Sequence, residues 1–188
     1  MDAHLVETRL RKKTVYRGGA VSFCVDDVRL PNGKKAVREY MDHPGAVCVV
    51  PFLDKDTLVL VRQYRYPVGE VTLELPAGKL DAKESLLSCV KRELREETGY
   101  TARRVSKLTD YWPTPAFANE VLHIFVAEGL RGHAASPDPD EFLEVKEMPF
   151  KEALGLVRSG KIRDSKTVIA LLACALWRRP VNYTKSAK

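Results

Sequence analysis

The sequence predicts a mixed α/β domain preceded by a region of antiparallel strands. Three observations lead to this prediction. Apolar segments of strand length occur on both sides of one amphipathic helical segment, two further helical segments follow near the C-terminal end, and short turn-rich strands fill residues 1–45. A chain of 188 residues fits one such domain with a small extension.

Residues 1–45 are predicted to form short antiparallel strands. Extended segments precede and follow Gly18-Gly19, and the sequence Leu30-Pro31-Asn32-Gly33-Lys34 is a strong turn signal. His43-Pro44-Gly45 marks a break before the next strand. We therefore expect an N-terminal strand region over 1–45, a main domain over 46–178 and a basic tail over 179–188.

The main domain is predicted to contain apolar strands and two C-terminal helices. Residues 46–52 form an uninterrupted apolar run, and a polar turn separates them from a second apolar strand at 57–61, which predicts a hairpin. Another strand is predicted at 121–127. Helices are predicted at 150–160 and 165–177, and the second is apolar nearly all round, which predicts that it is buried.

A helix is predicted over 84–98, between the strands. Its apolar residues recur at spacings of three and four, so one face should pack on the sheet: Leu86, Leu87, Val90 and Leu94. Asp81 and Glu84 have the spacing of a capping box. Gly99 stands where such a helix would end.

Composition and charge argue against membranes, secretion and nucleic acid. No apolar run approaches the roughly 18 residues of a membrane span, and the N-terminal sequence does not resemble a secretory signal. The net charge of +6 comes from scattered basic residues, which favours anionic small molecules over nucleic acid as partners. The four cysteines show no CxxC pair, which predicts free buried thiols and a cytoplasmic protein.

The helix at 84–98 carries an acidic cluster that requires an explanation. Glu93, Glu96 and Glu97 project from one side of a helix, and like charges at such spacings repel by roughly a few tenths of a kcal/mol per pair. A cation among them would reverse that cost, and carboxylate ligands suit Mg²⁺ or Mn²⁺. The alternative is a solvated helix face on which Arg92 and Arg95 neutralise the acids.

The spacing around these acids favours the cation. Five residues separate Gly78 from Glu84, seven more lead to Arg92, and the segment continues Glu93-Leu94-Arg95-Glu96-Glu97-Thr98-Gly99-Tyr100. This pattern closely resembles the Nudix box, the signature of hydrolases that act on nucleoside diphosphates linked to another moiety. The one departure is Tyr100, where the family usually has an aliphatic residue. The resemblance implies a Nudix-type α/β/α sandwich with a mixed sheet.

The resemblance also implies roles for the residues of the box. Mg²⁺, with Mn²⁺ as a possible substitute, would be bound by four residues: Ala77 through its carbonyl, Glu93, Glu96 and Glu97. Glu84 would support these ligands, and Arg92 would orient the glutamates. Glu93, Glu97 and Arg92 are therefore expected to be catalytic. Divalent ions at such a site bridge phosphate oxygens and lower the pKa of a bound water.

Other segments resemble the ADP-ribose pyrophosphatase branch of this family, namely 61–67, 74–78, 111–120, 138–145 and 160–167. Arg65 matches an arginine that contacts the diphosphate or the terminal ribose, although a surface-strand arginine is the alternative. Pro115 stands fifteen residues after the box, as in the branch, but Ala116 replaces the usual glycine. Glu120 matches a position that contacts substrate or metal, and the alternative is a loop acid. The expected substrate-binding residues are Arg62, Arg65, Leu80, Pro115 and Glu120.

In this branch a glutamate on a loop activates the attacking water. Glu141, which precedes a strand-like segment at 142–145, is the expected base. A mobile loop is a suitable position for a base that closes over substrate. Glu144 and Glu120 are its rivals, and a solvated acid without a catalytic role is the alternative.

The resemblance implies Mg²⁺-dependent hydrolysis of ADP-ribose to AMP and ribose 5-phosphate by a homodimer whose N-terminal strands cross to the partner. Hydrolysis of another nucleoside diphosphate sugar, such as GDP-mannose, is the nearest alternative, because the base-recognising residues carry no motif. A non-catalytic module that binds nucleotide or RNA would typically have lost box glutamates, and all are present here. Hydrolysis of damaged nucleoside triphosphates or mRNA caps fits the proline-containing loop less well.

Overall fold

The structure is a computed structural model that describes residues 2–19, 21–132 and 142–177. These residues form two compact units. The first contains the residues up to Gly45 together with Tyr111–Val121, and the second contains Ala46–Asp110 and the described residues from Leu122 onward. No helix in these described ranges is long and apolar enough to cross a membrane.

The first unit is a four-stranded antiparallel sheet in which β3 pairs with each of the other strands. The strands are β1 (Thr8–Arg11), β2 (Thr14–Arg17), β3 (Ser22–Arg29) and β4 (Lys35–Asp42). Gly33 has a φ of 83° in the turn between β3 and β4, a left-handed conformation that favours glycine. The predicted antiparallel region is confirmed, but β1 was missed because all its residues are exposed and it has no apolar face.

The second unit is built on a seven-stranded mixed sheet. Its strands are β5 (Ala46–Phe52), β6 (Thr57–Arg65), β7 (Glu70–Glu74), β8 (Ala77–Lys79), β9 (Tyr100–Tyr111), β10 (Leu122–Gly132) and β11 (Leu143–Pro149). The main order is β11-β6-β5-β10-β9, with β7 on β6 and β8 on β5. Strands β5 and β10 are parallel, whereas β6 is antiparallel to β5, β7 and β11. The predicted hairpin of β5 and β6 is confirmed.

Helices cover both faces of β5, and every residue of this strand is buried. The helices are α1 (Leu86–Thr98), α2 (Phe150–Arg158) and α3 (Ser165–Trp177). Val47 and Val49 pack against Val90 of α1. Cys48 points to the opposite face, since side chains alternate along a strand, and lies within electrostatic reach of Lys166 of α3. The predicted α/β/α sandwich is confirmed.

Helix α1 begins two residues later than predicted, and its cap differs from the expected one. The N-cap is Ser85, whose Oγ accepts a hydrogen bond from the N–H of Ser88 at 3.2 Å. The Asp81 N–H does donate to the Glu84 carboxylate at 3.2 Å, but the left-handed residue Lys83, with a φ of 68°, lies between them. Ser85 therefore performs the capping that the sequence assigned to Asp81.

Two further expectations were incomplete. Strand β9 was not predicted, because its 12 residues are largely polar and partly exposed. Helix α3 was expected to be buried on all sides, but Leu172 is 44% and Leu176 is 67% exposed, while Leu171 and Cys174 are fully buried. The helix therefore packs one face only on the sheet. The predicted tail over 179–188 lies outside the described residues.

The cysteines are buried, as the sequence predicted. Cys24, Cys48 and Cys89 are free thiols with no exposed surface. Burial raises the pKa of Cys89 to about 12, so this thiol stays protonated near neutral pH.

Candidate active site

The acidic face of α1 lies directly against strand β8. Strand β8 is held in the sheet by pairing with β5, and Val90 and Leu94 pack α1 on the same sheet. The closest approach is at Gly78, where an added Cβ would lie 1.9 Å from Glu93 Oε1. Glycine is therefore required at this position for the Glu93 carboxylate to lie where it does.

Two carboxylates of this face are buried and the third is more open. Glu93 is 7% and Glu97 is 4% exposed, whereas the side chain of Glu96 is 32% exposed. The backbone N–H of Ala77 donates to Glu97 Oε2 at 3.2 Å. Because burying a charge is costly unless it is paired and hydrogen-bonded, these contacts are what allow the helix to carry acids on its inner face.

Arg92 binds three carboxylates of the box at once. Its Nη1 donates to Glu93 Oε1 at 2.7 Å and to Glu96 Oε2 at 3.0 Å. Its Nε and Nη2 donate to the two oxygens of Glu84 at 3.0 and 2.9 Å. The hydrogen bonds from Arg92 lower the pKa of Glu84 to about 2. Nη2 also donates to the Lys79 carbonyl at 3.1 Å, so Arg92 joins the acids of α1 to strand β8.

The carboxylates do not form a preassembled metal cage. Within residues 2–19, 21–132 and 142–177, no three His, Cys, Asp or Glu side chains converge in a way that could hold a metal ion. Glu93 and Glu96 turn to Arg92, and Glu97 turns to the N–H of Ala77. The donor set still suits a hard divalent cation, because it consists of oxygens on one helix face and glycine at 78 keeps that face free of a side chain.

Arg65 lies in a second polar cluster, at the end of β6. Its Nε and Nη2 donate to the two oxygens of Glu74 at 2.9 and 2.7 Å. Glu74 is 1% exposed and also accepts hydrogen bonds from Lys166 and Thr72. Burial alone would raise the pKa of Glu74, but the hydrogen bonds from Arg65 and the charge of Lys166 outweigh it and lower the pKa to about 2. Arg65 borders a cavity of about 660 Å³.

Other predicted residues of the second unit have separate surroundings. Arg62 stands three positions before Arg65, so the two side chains leave opposite faces of β6. Arg62 Nη1 donates to Glu144 Oε2 of β11 at 2.6 Å, and both side chains are largely exposed. The structure therefore does not bring Arg62 and Arg65 together. Leu80, a third predicted residue, is half-buried and packs against the apolar cluster beneath α1.

Two predicted residues belong to the first unit. Pro115 is exposed in a turn where the Phe117 N–H donates to the Thr114 carbonyl at 3.1 Å. Glu120 Oε1 lies 3.8 Å from His43 Nδ1. The expected base, Glu141, lies outside the described residues.

The sequence-based prediction did not include Glu74 and Lys166. They stand 92 residues apart in the sequence, and no local sequence pattern predicts an ion pair between residues so far apart. The one signal was indirect, since each lies in a segment that resembles the ADP-ribose pyrophosphatase branch, at 74–78 and 160–167.

Comparison with known proteins places this fold and this box in one family. Residues 42–171 match the family model of the NUDIX domain. An ADP-ribose pyrophosphatase of Bacillus subtilis (strain 168) is 41% identical over 169 residues, which cover 89% of this chain and 91% of the relative. A GDP-mannose pyrophosphatase of Pectobacterium atrosepticum is 36% identical over 159 residues, covering 78% and 82%. A crystal structure of an ADP compounds hydrolase has a TM-score of 0.79 at 27% identity, covering 92% of this chain and 95% of that one.

The chain therefore belongs to the NUDIX domain family. Within that family it is a Nudix hydrolase, as the spacing from Gly78 to Tyr100 predicted. Hydrolases of this family generally use divalent metal ions, which agrees with the oxygen-rich donor set on α1.

The close approach at Gly78 gives a direct test of the site. Gly78→Ala should lower turnover about 100-fold, because the added Cβ must displace the Glu93 carboxylate by an ångström or more. Gly155→Ala is the matched control, since nothing lies within 4 Å of an added Cβ there. Turnover of a nucleoside diphosphate sugar and the thermal midpoint should be measured for both variants. A folded Gly78→Ala protein with wild-type turnover would contradict the importance of the Glu93 position.

Proposed function

We propose that this chain hydrolyses the diphosphate bond of ADP-ribose, giving AMP and ribose 5-phosphate, with Mg²⁺ as its cofactor. The observation that carries the proposal is the buried carboxylate face of α1, held against β8 by Arg92 and by the glycine at 78. The similarity to an ADP-ribose pyrophosphatase over about nine tenths of both chains supports the choice of substrate.

The metal would be held by Glu93, Glu96 and Glu97 together with the carbonyl of Ala77. A divalent ion held by these residues would stabilise the charge of the diphosphate and supply an activated water. Mg²⁺ is favoured because all the donors are oxygens, and Mn²⁺ would substitute for it because it binds the same ligand types. The chain's own contribution is to orient the donors, because Arg92 fixes Glu93 and Glu96 and ties them to β8.

The diphosphate itself would be bound by arginine. Arg65 keeps 41% of its side chain exposed beside the cavity, and a guanidinium is well suited to phosphate oxygens. Arg62 is the second candidate, on the opposite face of the strand. By resemblance, Leu80, Pro115 and Glu120 are proposed to contact the rest of the substrate.

Hydrolysis of GDP-mannose is the second candidate function. It is favoured by the similarity to a GDP-mannose pyrophosphatase, which covers 78% of this chain. The two substrates share the diphosphate and differ in base and sugar, so the carboxylate face and Arg65 would serve both. Only the relative rates distinguish them.

A substrate panel tests the activity and its metal dependence together. ADP-ribose should be cleaved faster than GDP-mannose, with activity lost in EDTA and restored by Mg²⁺. Glu97→Gln should lower turnover by orders of magnitude without unfolding the protein, because it removes a charged oxygen donor. Glu152→Gln, on the exposed surface of α2, is the matched control and should retain turnover. Faster cleavage of GDP-mannose would transfer the proposal to that substrate, and full activity of Glu97→Gln would refute the ligand set.

We also propose that Glu141 is the general base. Glu144 is the weaker candidate, because its carboxylate already accepts a hydrogen bond from Arg62. Glu141→Gln should lower kcat roughly 100-fold or more, since general-base catalysis contributes on that scale. Glu144→Gln should lower it much less. If kcat falls only in the Glu144 variant, the two roles are reversed, and a loss confined to Glu120→Gln would assign the base to Glu120.

A homodimer is proposed as the working form, in the cytoplasm. The first unit supports this by exposing large apolar side chains on its strands, including Val15, Tyr16 and Val37 at 48%, 63% and 50%. Sedimentation equilibrium should give twice the chain mass of 21.1 kDa, and a monomer at micromolar concentration would contradict the dimer.

The buried thiols support the proposed location in the cytoplasm, which is a reducing compartment, and cell fractionation would check it.

A further inference from the structure

The start of helix α3 is hydrogen-bonded to residues 74–75, which lie just before β8 and the carboxylate site. Two consecutive residues of α3, Lys166 and Thr167, contact Glu74, the last residue of β7, and Leu75, which follows it. The Leu75 N–H donates to Thr167 Oγ1 at 2.8 Å, and that hydroxyl donates to Asp164 Oδ2 at 2.6 Å. Thr167 is fully buried. The segment before Ala77 is thus held by the helix as well as by the sheet.

The Glu74 carboxylate is shared by two cations. Arg65 binds both of its oxygens, and the Lys166 ammonium also binds Oε2. Lys166 also pairs with Asp164 at 3.0 Å. The cluster therefore holds two cations and two carboxylates, so one cation can change partner without leaving Glu74 unpaired.

The two cations differ in their freedom to move. Both side chains line the cavity of about 660 Å³, but that of Arg65 is 41% exposed, whereas that of Lys166 is only 13% exposed. If Arg65 turns toward an anion in the cavity, Glu74 remains paired with Lys166. Without Lys166 the same movement would leave a buried carboxylate with no cation, which is strongly unfavourable.

We propose that Lys166 is a positioning residue for substrate binding, whose ammonium keeps Glu74 neutralised so that Arg65 can exchange that carboxylate for the diphosphate. The proposal rests on the diphosphate hydrolysis proposed above and adds a residue that acts on the substrate through Glu74 and Arg65. One alternative is that Lys166 stabilises the fold only, and another is that its ammonium contacts the anion directly. Both alternatives predict an effect of Lys166 on KM that does not depend on the charge of Glu74.

The first test removes the charge while keeping the length of the side chain. Lys166→Met should raise KM about tenfold, as expected for loss of one coupled ionic contact, with a smaller change in kcat. Lys161→Met removes an exposed lysine close to the start of α3 and should leave KM unchanged. Lys166→Arg restores the charge and should return KM to within about threefold of wild type. A KM equally raised in the Arg and Met variants, or raised in neither, would overturn the proposal.

The second test asks whether Lys166 acts through Glu74. Glu74→Gln removes the charge that Lys166 is proposed to neutralise and leaves no buried carboxylate without a cation, so adding Lys166→Met to it should change KM no further. A purely structural role predicts the same fold-change in both backgrounds, and that result would overturn the proposal.

The KM values of the single and double variants can be compared in a way that does not depend on the identity of the substrate. KM is taken for the nucleoside diphosphate sugar that the wild type cleaves fastest, and the Kd of ADP-ribose is measured by calorimetry in EDTA, which requires no turnover. Failure of ADP-ribose as a substrate would thus count against the proposed function alone. An unchanged Kd in Lys166→Met, in a protein with the wild-type thermal midpoint, would count against the positioning role.

Discussion

The burial of glutamates against strand β8 is the constraint on which the rest of the site depends. Glu93 and Glu97 are almost inaccessible to solvent, and an ionised carboxylate is tolerated there only when donors satisfy it. Arg92 and the N–H of Ala77 supply these donors, and Gly78, which has no side chain, leaves room for the Glu93 carboxylate. The apolar side of α1 sets how closely the helix approaches the sheet, so the packing of the core fixes the distance between the acids and β8.

Among the described residues, the carboxylates of the box and those around Glu74 form separate clusters, and their charge balance differs. At the box, one guanidinium binds three carboxylates, an excess of two negative charges among the directly bonded groups. At Glu74, two cations face two carboxylates, and the bonded groups are neutral. An excess of negative charge on an oxygen-rich surface attracts a divalent cation, whereas a balanced cluster is suited to holding an arginine in place. In the proposed function, the box binds the metal and the Glu74 cluster holds Arg65 for the diphosphate.

Local patterns predicted the elements whose residues carry strong periodicity. The apolar run of β5 and the three helices were predicted, because the number and spacing of their apolar residues indicate burial on one or both faces. Strands β1 and β9 were not, since a polar edge or partly exposed strand carries no such signal. The box spacing predicted the acidic face and Gly78. The network of Glu74, Lys166 and Thr167 is formed by segments far apart in the chain, which only the folded structure brings together.

Tyr100, where the sequence departs from the family pattern, shows why spacing matters more than the identity of that last residue. Its ring packs against the apolar cluster beneath α1, as an aliphatic side chain would. Its hydroxyl reaches the edge of that cluster and donates to Glu147 Oε1 at 2.7 Å, which raises the pKa of the tyrosine. The half-buried phenol thus has a hydrogen-bond partner for its polar end, and β11 supplies it. The substitution therefore keeps the packing that positions α1 and adds a link to β11, so the geometry of the carboxylate face is preserved.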